Sequence, residues 1–151
     1  MLIPNESEFV ALVKRCPGCA DLLRGPAFGL PDGFTEAALR ALPADALHRL
    51  CRCLQVPVVI VTLGARGCFV SQPDVYVRVS AHDVEVVDTT GAGDAFVGGF
   101  AAGLVKFRHN IFEAVHYGNA VAALAVMQPG TAPAMPHARE IARFLKKRDH
   151  K

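Results

Sequence analysis

DTTGAGDAFVGGF, residues Asp88 to Phe100, is the stretch from which the rest of the chain is best read. An extended segment runs into a glycine-rich turn, and an apolar helix follows over about residues 93–105. Gly91 and Gly93 tolerate backbone angles closed to other residues and carry no side chain to obstruct a ligand. Successive N–H groups where such a turn opens a helix form an anion site suited to phosphate. Two familiar phosphate motifs do not fit. A Walker loop needs Gly-Lys-Ser/Thr, whereas Gly93 is followed by Asp94 and Ala95. A Rossmann turn needs glycine where Phe96 stands. The segment therefore reads as a phosphate cradle without a P-loop lysine. Asp94 has two readings: a helix N-cap, or a general base that takes a proton from an attacking hydroxyl beside the phosphate.

Working outward, residues 57–63 (PVVIVTL) form a β-branched run that stops at Gly64, the pattern of a strand covered on both faces. Shorter strands are expected at 67–71, 75–79 and 83–87. Beyond the glycine turn, the pattern predicts a helix over 111–127, a proline-rich loop over 128–136, and a last helix over 137–147. That helix turns Ile141, Phe144 and Leu145 inward, and Lys146, Lys147 and Arg148 complement its dipole. Toward the N-terminus, Leu47, Leu50, Cys51 and Leu54 share one face of a helix over 44–54. Residues 17–43 are rich in proline and glycine and read as loop, with a short helix near 35–42. Leu2 and Ile3 look like the tail of a strand, and Pro4 to Glu8 start a helix of about ten residues. An opening in mid-strand suggests a piece of a larger α/β protein.

Composition narrows the class. The chain has 151 residues, 52% hydrophobic and 20% charged, enough for one domain with a core. A net charge of +2 gives no strong pull toward nucleic acid or membrane. No apolar run is long enough to cross a bilayer, and the first residues lack the pattern of a secretory signal. The expectation is a soluble cytoplasmic protein with neither nucleic-acid nor membrane partners. Five cysteines, an odd number, favour free thiols. Cys16 and Cys19 have C-x-x-C spacing, and Cys51 with Cys53 offers a second pair for a zinc site. That pair has one intervening residue rather than two, which argues for free thiols over zinc.

The segment at 88–100 resembles the C-terminal signature of the ribokinase-like, or PfkB, carbohydrate kinase family. Two further segments match in order: Pro4-Asn5-Glu6-Ser7-Glu8 resembles its N-x-x-E motif, and Val61-Thr62-Leu63-Gly64-Ala65-Arg66-Gly67 its T-L-G-x-x-G segment. The resemblance covers nearly the whole chain apart from residues 16–43. It implies the C-terminal portion of a three-layer α/β/α sandwich with a mostly parallel sheet, the lid and N-terminal strands missing. Residues 1–151 would be one partial kinase domain, the nucleotide-binding and catalytic half.

By the same resemblance, Asp94 would be the catalytic base and would meet the sugar, with Gly91, Ala92 and Gly93 as the anion hole. Thr62, Gly64, Gly67, Gly93, Asp94 and Asn119 would lie along ATP, whose adenine would sit between the turn at 62–67 and the loop before the last helix. Asn119 reads equally well as a satisfied polar residue in a helix of small residues. Asn5 and Glu8 would organise magnesium through water, as suits an ion that keeps its waters. Asp88, Thr90 and Gly130 would border a monovalent cation, usually potassium, although Ala134 stands where many members carry serine. Asp88 also reads as a plain turn residue. The implied reaction is transfer of phosphate from ATP to D-ribose, giving ribose 5-phosphate. Fructose, ketodeoxygluconate and adenosine are alternative acceptors, and a non-catalytic nucleotide-binding remnant is an alternative of another class. The isolated chain would be a poor enzyme, and the full-length parent a homodimer.

Overall fold

The computed structural model describes residues 1–25, 28 and 33–148. Two compact units follow one another along the chain, Met1–Ser80 and Ala81–Lys151.

The first unit is built around a three-stranded sheet in the order β1 (Val59–Thr62), β2 (Cys68–Ser71), β3 (Tyr76–Val79). Both ladders are antiparallel, with Ile60 opposite Val70 and Val70 opposite Val77. Leu2 adds a parallel bridge beside Val59, its N–H donating to the Val58 carbonyl at 2.9 Å, so β1 lies between a parallel and an antiparallel neighbour. The expected central strand and antiparallel edge are present. A mostly parallel sheet is not: the ladder-forming strands described are joined by tight connections, and these permit only antiparallel pairing.

Alternation along β1 and β2 places Val59, Val61 and Phe69 in one core with Phe9, Val13, Leu39, Leu47 and Leu50. Ile60, Cys68 and Val70, on the opposite face, are also fully buried. The helices of this unit are α1 (Glu6–Arg15), α2 (Pro17–Arg24), α3 (Glu36–Ala41) and α4 (Ala44–Cys53). A bidentate ion pair joins α3 to α1, Arg40 donating to both carboxylate oxygens of Glu6 at 2.8 and 2.7 Å and holding that carboxyl below its usual range. Ser71, buried on β2, meets His48 Nδ1 at 2.8 Å and accepts from Arg52 Nε at 3.2 Å, so its burial leaves no polar orphan.

Helix α2 corrects the loop expected from residue 17 onward. Pro17 occupies the first helical turn, where its missing N–H costs nothing, and the chain leaves the helix at Gly25. The rest of that expected loop includes residues 26, 27 and 29–32, which lie outside the described residues.

The second unit consists of α5 (Ala92–Lys106), α6 (Ile111–Ala125) and α7 (Ala138–Arg148). Helices α5 and α6 approach closely because glycines line the contact. A Cβ on Gly99 would stand 2.7 Å from Val121 Cβ, and one on Gly103 would stand 2.8 Å from the Ala114 Cα. Ile141 of α7 is buried against Ala120 and Val121, with Phe144 and Leu145 packed at its edge. The strand expected at 83–87 is not formed. Val86 and Val87 are exposed, and the N–H groups of Val87 and Asp88 both turn to the Val126 carbonyl at the end of α6. No helix among the described residues is long and apolar enough to cross a membrane.

Candidate active site

The turn before α5 is set by one residue. The Ala92 N–H donates to the Thr89 carbonyl at 3.1 Å, closing a β-turn with Gly91 in its third position at φ +76°, ψ +6°. Those angles define a type II turn, which requires positive φ there. A Cβ on Gly91 would also meet Thr131 Cγ2 at 3.0 Å. Gly91 is the N-cap of α5 and has no side chain to close the helix end. The N–H groups of Gly93 and Asp94 accordingly take no partner among the described residues, while Ala92, the middle member of the expected anion hole, is engaged within the turn. A Cβ on Gly93 would meet nothing within 4 Å. The result is an exposed helix terminus whose backbone donors and dipole favour an anion.

Asp94 is not the N-cap. It occupies the third helical position, is exposed, and makes no hydrogen bond or ion pair with the described residues. The structural reading of Asp94 as a cap is thereby removed, leaving a carboxylate held on a rigid first turn with its oxygens open.

Asp88 behaves differently. Its Oδ1 accepts from the Thr90 N–H and its Oδ2 from the Gly130 N–H, both at 2.9 Å. Thr90's hydroxyl, followed by these two backbone groups, holds the Asp88 carboxyl below its ordinary range. Asp88, Thr90 and Gly130 are thus brought together, with Gly130 at φ +89° and Ala134 buried in a 3₁₀ turn (Ala132–Ala134). Asn119 lies on α6, is 7% exposed, and is engaged by neighbouring groups, as a satisfied buried amide would be.

In the first unit, Thr62 ends β1, and Gly64 and Gly67 bracket a 3₁₀ turn (Gly64–Arg66) with φ +56° and +86°. The Asn5 and Glu8 side chains form a reciprocal capping box at the start of α1. Asn5 Oδ1 accepts from the Glu8 N–H at 2.9 Å, and Glu8 Oε2 accepts from the Asn5 N–H at 2.8 Å. This N-x-x-E is a capping-box signature that sequence reading alone could have found. The box leaves Glu8 Oε1 facing solvent on an exposed side chain, which suits an ion held mainly through water.

The zinc alternative fails on geometry. Cys51 and Cys53, two apart on α4, point to different sides: Cys51 is buried in the core, while Cys53 Sγ faces the Gly18 carbonyl of α2. No group of three or more His, Cys, Asp or Glu side chains among the described residues is arranged to hold a metal.

These elements together define the class: an α/β chain of the ribokinase-like fold. A ribokinase structure from Thermotoga maritima matches it with a TM-score of 0.70 and 33% identity over 95% of this chain and 41% of that one. A fructokinase variant from Vibrio cholerae O395, in its fructose-, ADP- and potassium-bound form, matches with a TM-score of 0.66 and 29% identity over 95% and 40%. In sequence, the ribokinase of Haemophilus influenzae is 37% identical over 90 residues, 60% of this chain and 29% of its own. The pfkB family of carbohydrate kinases matches residues 1–138, and the chain belongs to that family. It spans less than half the length of these relatives.

Proposed function

We propose that this chain supplies the nucleotide-binding and catalytic part of an ATP-dependent sugar kinase, with D-ribose as the leading acceptor and ribose 5-phosphate as product. The observation that carries the reading is the first turn of α5, where unpartnered backbone donors stand beside an unengaged carboxylate, Asp94. Phosphoryl transfer needs little covalent help from a protein. It needs the reactants in line, donors aimed at the developing charge and a base for the hydroxyl proton. The Gly93 and Asp94 N–H groups meet the transferring phosphate, and Asp94 receives the proton as the sugar oxygen forms its new bond. A carboxylate is a weak base, which suits a hydroxyl proton that leaves late in a loose transition state.

The remaining assignments rest on family membership together with local geometry. Thr62, Gly64 and Gly67 serve ATP, and Asn119 lies toward its base. Glu8 and Asn5 hold magnesium through water, and that ion would screen the phosphate charges. Asp88, Thr90 and Gly130 border potassium; the clustering of these three residues favours that assignment, and so does the potassium in the fructokinase relative. Fructose and other acceptors stay in the test, since both ribokinases and a fructokinase are among the relatives. A cytoplasmic location and a homodimeric full-length parent complete the proposal.

The test is a phosphoryl-transfer screen of the chain and of its full-length reading frame with ATP against ribose, fructose, ketodeoxygluconate and adenosine. Sugar-dependent ADP release that disappears in Asp94→Asn supports the reading. Nucleotide binding with no transfer to any acceptor by either protein would favour the non-catalytic alternative.

A further inference from the structure

Three of the five free cysteines meet at one corner of the first unit, well apart in sequence from every residue assigned above except α1. Cys16 is at once the C-cap of α1 and the N-cap of α2. Its Sγ lies 3.8 Å from the Cys53 carbonyl, and Cys53 Sγ lies 3.8 Å from the Gly18 carbonyl, so α4 backs the Cys16-Pro17-Gly18-Cys19 turn directly. Cys19, in the third position of α2, is buried with its Sγ 3.9 Å from the Leu50 carbonyl. Cys16 and Cys53 are half-buried and reachable from solvent.

We propose that Cys16 and Cys19 form a thiol–disulfide exchange site for small-molecule disulfides, Cys16 attacking and Cys19 resolving. The Cys16 thiolate attacks one sulfur of the incoming disulfide, the S–S bond breaks, and half of the reagent leaves as a thiolate. Cys19 loses its proton to solvent and attacks Cys16 Sγ, expelling the second half. One external disulfide is reduced to two thiols, and the two cysteine thiols become one S–S bond.

The environment separates the two roles. Cys16 makes no capping hydrogen bond as a thiol, but the Cys19 N–H, the Cys19 side chain and the Gly18 N–H together hold its pKa below the ordinary thiol value. Pro17, at the first helical position, offers no N–H of its own. Burial drives the Cys19 pKa upward, with the Cys16 and Cys53 sulfurs adding to the effect. An accessible attacking thiol at a helix N-terminus, paired with a buried partner three residues on, is the division of labour that exchange chemistry requires. Because the helix end favours the Cys16 thiolate, the reduced form is stabilised and the bridge is readily reversed rather than structural. Closing it would tie the corner from which α1, the helix carrying Asn5 and Glu8, departs.

The sequence makes the test clean, since Arg15 and Arg24 place Cys16 and Cys19 in one tryptic peptide and Arg52 separates Cys53 from Cys51. The full chain is incubated with glutathione disulfide, quenched with iodoacetamide and mapped by mass spectrometry. The expected product is the 16–24 peptide lacking two hydrogens, with Cys53 still alkylated. Cys19→Ala should instead hold glutathione on Cys16, and Cys16→Ala should give neither product. In the reduced wild type, Cys16 should alkylate at least about threefold faster than Cys53 at pH 7, since a larger thiolate fraction outweighs the lower intrinsic nucleophilicity of a less basic thiol. A bridge that includes Cys53, glutathione on Cys53 rather than Cys16, or equal alkylation rates would overturn the proposal. The wild-type map and rates decide the matter even if Cys19→Ala fails to fold.

Discussion

The first turns of α1 and α5 carry the most motif-like segments of the chain, and they treat their backbone donors in opposite ways. At α1, Asn5 and Glu8 close the helix end on itself, each side chain accepting from the other residue's N–H. At α5, the N-cap is Gly91, which has no side chain, and the nearby carboxylate, Asp94, makes no hydrogen bond to the helix end. A helix end sealed by its own side chains has little left for an anion. One left open, beside a carboxylate with no structural duty, is suited to chemistry on phosphate. Polar residues in a motif are thus informative by what they fail to do locally.

The largest effect belongs to Asp94. If the proposed phosphoryl transfer is what this site does, Asp94→Asn should lower turnover about 10²–10⁴-fold, the usual worth of a positioned base. Nucleotide affinity and melting temperature should be retained, since Asp94 caps nothing. Near-normal turnover in steady-state kinetics would remove the catalytic reading.

Glycine substitutions sharpen the contrast next. Gly91→Ala forces a side chain into left-handed backbone and against Thr131, and should cost about 1–2 kcal/mol in urea unfolding. Gly93→Ala meets open space on ordinary helical angles, so its stability should be unchanged or slightly raised while ADP binds more weakly. If both variants bind ADP like wild type, backbone approach at this turn is unimportant.

At the sealed end, Asn5→Ala should cost about 1 kcal/mol by loss of the cap. Glu8→Gln preserves the box, so its melting temperature should hold and only the magnesium dependence of activity should move. A fall in stability for Glu8→Gln comparable to that of Asn5→Ala would show that the carboxylate charge matters to the fold.

Legibility followed the same division. The helices α4, α5, α6 and α7 and the three strands were readable from periodicity, because each presents one apolar face or a buried run. Helix α2 was not, because Pro17 and Gly25 look like loop residues until one asks whether they sit at helix ends, where both are at home. Residues 83–87 look like a strand by composition, but a strand also needs a partner, and these N–H groups are drawn to the end of α6 instead. Asp88, Thr90 and Gly130 were grouped through family resemblance, and the structure supplies the carboxylate that joins them. The capping box was visible in the spacing of Asn5 and Glu8 but masked by the functional motif it coincides with.

The smallest effect concerns pH and divides the two units. Burial, then Arg52, lowers the His48 pKa; burial, then Arg148 and His116, lowers that of His82, whose Nε2 is buried without a hydrogen-bond partner among the described residues. Both imidazoles stay neutral to lower pH in the fold than in the unfolded chain, which takes up protons below about pH 6.5. Their contribution to stability is therefore present above that pH and lost as pH falls through each folded-state value. Melting temperature should decline modestly toward pH 5, with His48→Gln and His82→Leu each flattening part of the slope. A slope unchanged in both variants would place the acid sensitivity elsewhere.

The contrast between the helix ends can be measured directly by titrating ¹⁵N-labelled protein with ADP and following single amides. The Gly93 and Asp94 N–H resonances should shift saturably, while the Glu8 N–H, already bonded to Asn5 Oδ1, should stay in place. Shifts at Glu8 with none at Gly93 and Asp94 would contradict the assignment of the α5 terminus as the phosphate site.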